Sequence, residues 1–116
     1  MNLQDWQRRL AEFARKRQWE RFHSPKNLAM ALSVEAAELL EHFQWLSEAE
    51  SLKLDARQKQ AVGEEMADVM LYLIRLAHRL DIDLEQACEA KFAVNARRYP
   101  ADRCQGSAAK YTRYQD

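Results

Sequence analysis

The chain has 116 residues, 31% charged and 47% hydrophobic, which suits one globular domain rather than two. Eighteen basic residues balance eighteen acidic ones, so nothing points to a polyanion-binding surface for DNA or RNA. Two Gly and two Pro are too few for the turns of an all-β chain, and no uncharged apolar run approaches the ~18 residues of a membrane span.

Four helices are expected. The first runs from about Leu3 to Trp19, with Leu3, Trp6, Leu10, Phe13 and Arg17 roughly on one side, and "HSPKN" ends it. Ser24 N-caps the second, Pro25 takes its first position, and it continues to about Trp45. "LSEAESLKLD" is a polar connection with room for a short helical turn. The third helix covers about Ala56 to Leu80, striped by Val62, Met66, Val69, Leu73, Leu76 and Leu80. "DID" breaks it, Asp83 with Gln86 starts the fourth in capping-box fashion, and Pro100 lies beyond its end. Residues 1–100 form the domain, and 101–116 a weakly patterned tail that orders on binding or assembly. The start, "MNLQDWQRRL", lacks the apolar core of a signal peptide, and Cys88 and Cys104 read as reduced thiols, so a cytoplasmic protein is expected. Cys88 is expected in the core.

The second helix carries an anomaly. Advancing 100° per residue from Leu28 brings Leu32, Leu39, Phe43 and Leu46 within about 60° of it. Glu35 falls in the middle of that apolar stripe, and Glu38 lies beside it one turn on. The third helix repeats the pattern: Glu65 and Asp68 share a face that flanks its stripe, and Tyr72 continues their row. Either pair alone reads as a solvated, salt-bridging face. Two pairs, both abutting core stripes on helices expected to pack together, favour a site. Four carboxylates in a partly desolvated groove repel strongly, and a divalent cation is the usual remedy. An all-oxygen donor set suits Mg²⁺ or Mn²⁺ and disfavours Zn²⁺. A di-iron centre needs Glu-x-x-His on two helices, and "ERFH" (Glu20, His23) at a helix end is the sole such spacing.

"EAAE" followed by "EMAD" resembles the paired E-x-x-E and E-x-x-D motif of the MazG-like nucleotide pyrophosphohydrolases. "WERFHSPKNLAMALSVEAAELLEHFQW", "EEMADVMLYLIRLA" and "KFAVNARRYP" are similar to the small all-α dCTP pyrophosphatase branch, over roughly Trp19 to Tyr111. The resemblance implies an all-α, four-helix MazG-like bundle assembled as a homotetramer, a dimer of dimers with sites near subunit interfaces. It implies Mg²⁺-dependent cleavage of a nucleoside triphosphate to monophosphate and pyrophosphate. On the motif, Glu35, Glu38, Glu65 and Asp68 match the metal ligands. Trp19, His23, Asn27 and Trp45 match positions around base and sugar, and Tyr72, Lys91, Asn95 and Tyr99 positions around sugar and phosphates. Arg98 lies close to the face shared by Lys91 and Asn95, so the three supply two cations and an amide to one ligand.

The chemistry expected is water attack at the α-phosphorus, with Glu38, at the stripe's margin, orienting the water. No Gly-rich phosphate loop of the γ-transfer type is present in the sequence. Two rivals stand beside dCTP: the same reaction on dUTP or a modified nucleotide, and a non-catalytic helical module that oligomerises or binds a partner. Trp6, Leu10 and Phe13, with Met70 and Ile74 outside the main stripe, are expected to be buried between subunits.

Overall fold

The computed structural model describes residues 1–110 and 112, and every regular element among them is helical. In chain order these are α1 (Leu3–Lys16), a 3₁₀ turn (Glu20–Phe22), α2 (Pro25–Glu41), α3 (Glu48–Ser51), α4 (Ala56–Arg79), α5 (Leu84–Arg98) and α6 (Ala101–Cys104). Two compact units result, the first Met1–Ile82 and the second beginning at Asp83.

In the first unit α2 packs chiefly on α4, and α1 packs on α4 as well. Ala14, Leu28, Val62, Ile74 and Ala77 are its buried apolar residues. Leu28 and Ile74 are the largest fully enclosed side chains, each worth about 1.5–3 kcal/mol of burial. Ile74 was expected to await a second subunit; it is covered within the chain, whereas Met66 of the expected stripe is exposed. The reason is that α4 has two neighbours. A single stripe drawn for one partner misses the flank that α1 covers.

Helix starts follow local chemistry. Ser24 Oγ accepts from the Asn27 amide at 3.2 Å with Pro25 in the first turn, as expected. Ser47 with Glu50, and Asp55 with Gln58, form reciprocal capping boxes on α3 and α4.

Helix ends differ from expectation. α1 stops at Lys16 rather than Trp19. Gln18 adopts a left-handed φ of 55°, the Trp19 amide donates to Ala14 O at 2.9 Å, and the Gln18 amide donates to Arg15 O at 3.1 Å. This is a Schellman motif, and Trp19 completes it by packing on Phe13, ring centres 5.8 Å apart. α4 ends the same way at Asp81 (φ 55°), with the Ile82 amide donating to Ala77 O at 2.9 Å. Glycine normally fills the left-handed position, so neither end announces itself in the sequence. Gln18→Gly should therefore raise stability by about 1 kcal/mol in thermal denaturation, because glycine pays no Cβ penalty there. A loss of stability would contradict the assigned backbone. α2 ends at Glu41, short of Trp45, as the His42 and Phe43 amides tighten to the carbonyls of Leu39 and Leu40 three residues back.

In the second unit, Asp83 Oδ1 accepts from the Gln86 amide at 3.0 Å and starts α5, which ends before Pro100. Cys88 is exposed, contrary to expectation: α5 has no buried residue in its own unit, so there is no core for the thiol to join. Of the expected tail, residues 101–104 form α6, while 111 and 113–116 lie outside the described residues.

Candidate functional site

The packing of α2 on α4 brings the anomalous acids together. Glu35 and Glu38 lie one turn apart on α2, and Glu65 and Asp68 one turn apart on α4. Glu35, Glu38 and Glu65 each present an oxygen within 4.8 Å of the others. Glu35 Oε2 and Glu65 Oε2 are buried without a hydrogen-bond partner. When all three are ionised, acceptors face acceptors, and only a shared proton or a cation resolves that. Accordingly the Glu35 carboxyl is pushed up to about 7, first by burial and then by Glu38, with Asp68 adding repulsion. Glu65 shifts the same way, from burial and from Glu38. Two orphaned buried oxygens in a three-carboxylate cluster fit a hard divalent cation.

This strain has a pH signature in the metal-free protein. Glu35 in the fold holds its proton to about 7, while its ordinary value is 4.5. The folded state binds the extra proton, so this contribution is full below about pH 4.5 and is lost as pH rises towards 7. Melting in EDTA should show the midpoint falling across that window, and Glu35→Gln should flatten the fall. Parallel curves for the two proteins would contradict it.

Asp68 is not part of the three-oxygen cluster. It lines an adjoining cavity of about 380 Å³, within the range of small-ligand sites. Trp6, Phe13, Trp19 and Tyr72 supply aromatic walls, and His23, Arg75, Asp68 and Arg9, the last stacked over the Trp6 ring, supply polar groups. Trp19 is held edge-on to both Phe13 and His23, the latter at 6.3 Å between ring centres. Arg75 Nε donates to His23 Nδ1 at 3.2 Å, and Arg79 Nε donates to His23 O at 3.0 Å. His23 Nδ1 is thus an acceptor, which puts the proton of the neutral ring on Nε2. Burial, then the charges of Arg75 and Arg79, hold the His23 pKa below its ordinary value. Trp6, Leu10 and Phe13, expected at a subunit interface, are part of this cavity's wall.

A larger, shallower groove of about 890 Å³ is rich in arginine, and Arg75 belongs to its wall too. Two of its five arginines are ion-paired locally, Arg8 with Asp5 and Arg15 with Glu12, and the glutamate cluster is not part of it.

Of the residues expected around base and sugar, Trp19, His23 and Tyr72 line the cavity, and Asn27 and Trp45 do not. Asn27 Nδ2 donates to Phe22 O at 3.2 Å and ties the 3₁₀ turn to α2. Trp45 is 86% exposed. Lys91, Asn95 and Arg98 lie on α5 in the second unit, and Tyr99 is its C-cap. Arg75 was not anticipated. Its signal was an arginine inside the apolar run "LYLIRLA", three residues after Tyr72 and so on the same face.

The model of the MazG-like family matches residues 30–113. Over 112 residues, 95% of the chain, the sequence is 46% identical to dCTP pyrophosphatase 1 of Rattus norvegicus. Identity to dCTP pyrophosphatase 1 of Homo sapiens is 45% over the same length. The chain spans 66% of the length of these curated relatives. A crystal structure of a pyrophosphatase from Archaeoglobus fulgidus is similar with a TM-score of 0.74 and 44% identity, over 78% of this chain and 85% of that one.

Proposed function

This chain belongs to the MazG-like family, and from that premise we propose that it hydrolyses a deoxynucleoside triphosphate, dCTP foremost, to the monophosphate and pyrophosphate. The observation that carries the reading is the pair of buried, unpartnered glutamate oxygens beside an aromatic cavity that Asp68 lines. Glu35, Glu38, Glu65 and Asp68 would hold Mg²⁺ or Mn²⁺. When bound, the cation supplies charge neutralisation at the phosphates and at the leaving pyrophosphate. Among the protein's own groups, Glu38 orients the attacking water as general base. Trp19 offers a ring face or edge to the base, and Tyr72 borders the sugar. The roles of Lys91, Asn95, Arg98 and Tyr99 at sugar and phosphates, and of Asn27 and Trp45 at the base, rest on the resemblance alone.

A nucleotide panel with Mg²⁺, with products separated, tests this. dCTP should yield dCMP and pyrophosphate, well ahead of GTP. Equal kcat/KM for dCTP and GTP would refute the base assignment, and the absence of any monophosphate-forming turnover would refute the enzyme.

Assembly as a homotetramer of four-helix bundles belongs to the same proposal. Exposed apolar side chains on both packed helices support it, among them Met30, Val34 and Leu40 on α2 and Met66 on α4. Light scattering at micromolar concentration should give about four times the mass of one chain, and a monomer would contradict it. No helix among the described residues is long and apolar enough to cross a membrane. With both cysteines unpaired, a cytoplasmic location suits the proposal.

A further inference from the structure

Arg75 is a charged side chain only 6% exposed, yet it makes no ion pair among the described residues. Its Nε is spent on His23 Nδ1. Glu20 is the acid whose charge it feels, and no bridge forms between them. The N–H groups on its two terminal nitrogens have no protein acceptor among the described residues. They are not among the enclosed, unpartnered atoms of the protein, so a ligand in a cavity that Arg75 lines can reach them and supply acceptors. His23 lines the same cavity and carries its proton on Nε2, so the pair offers the cavity donors.

Position argues against phosphate as the acceptor. Arg75 follows Asp68 by seven residues on α4, which is about 10 Å along the helix axis. The carboxylates that would gather the phosphates lie at the Asp68 end. A nucleoside laid between the two ends brings its base, and not its phosphates, to Arg75.

We propose that Arg75, braced by His23, selects the base: its planar fork of donors takes a pyrimidine edge with two adjacent acceptors, the N3 and O2 of cytosine. The inference rests on reading the chain as a nucleoside triphosphate hydrolase and adds the group that discriminates. Uracil and thymine carry N3–H, so a donor meets a donor and the fork cannot close. Lysine cannot replace the fork, because its ammonium is a point charge without the paired geometry.

The test compares kcat/KM for dCTP, dUTP and 3-deaza-dCTP, in which N3 is a C–H group. The wild type should favour dCTP over both others by roughly 10- to 100-fold, the discrimination a good bidentate contact gives. Arg75→Met should bring the three within about threefold, chiefly through loss on dCTP, and Arg75→Lys should restore only part of the preference. An equal loss on dCTP and dUTP in Arg75→Met would overturn the proposal, since that is the mark of a purely structural arginine. Equal turnover of dCTP and 3-deaza-dCTP by the wild type would overturn it too, and that result needs no variant to fold. Absence of cleavage of any nucleotide by the wild type would instead sink the hydrolase reading, and this inference with it.

Discussion

Glu38→Gln and Glu65→Gln are each expected to lower kcat for dCTP by roughly 10²- to 10⁴-fold while leaving the helical circular dichroism unchanged. The two acids sit on different helices yet bring oxygens within 4.8 Å of each other and of Glu35. An amide keeps their size and removes the charge that a cation needs. Glu38 loses in addition the basic oxygen proposed to orient the water. The fold should tolerate the change, because charge is what strains this cluster. Glu65 Oε2 has no partner to lose, and its carboxyl is already raised by burial and by Glu38. Asp68→Asn should fall with them, and Glu35→Gln should combine lost turnover with higher stability in the absence of metal. Wild-type turnover in any two of the four variants would remove the metal site.

Chelation with EDTA is expected to abolish turnover, and Mg²⁺ should raise the melting temperature when added back. A ligand at 100 times its Kd that binds only the folded state contributes about 2.7 kcal/mol. Here the gain must also depend on pH. Glu35 keeps its proton to about 7 without metal, and metal competes for the same oxygens. The stabilisation by Mg²⁺ should thus be largest above pH 7 and shrink as pH falls below it. Full activity in EDTA, or a melting temperature indifferent to Mg²⁺ at pH 8, would contradict the site.

The acids were legible because they broke a pattern. A glutamate amid Leu28, Leu32 and Leu39 has no structural reason to be there, and the structure leaves its Oε2 buried and unpartnered. Helix starts were legible for a local reason: Ser24 and Asp83 act on the amide three residues ahead. The ends of α1 and α4 were hidden, because Gln18 and Asp81 occupy positions where glycine is the usual signal. The wall of the cavity was hidden as well. Trp6, Leu10 and Phe13 read as surplus apolar surface, because helical periodicity says which side chains share a face and not whether a cavity lies under it. Arg75 drew no expectation from the sequence. Its meaning depends on a contact to His23, 52 residues away in sequence, which no local pattern reports.

A single turnover of dCTP in oxygen-18 water bears most directly on the claim that this chain directs water to the α-phosphorus. The carboxylates sit mid-helix beside the aromatic cavity, so a nucleotide whose base fills the cavity has its first phosphate nearest the acids. Mass spectrometry of both products should find the label in dCMP and none in pyrophosphate. Label confined to pyrophosphate would mean attack at the β-phosphorus, and formation of dCDP with orthophosphate would contradict pyrophosphohydrolysis itself.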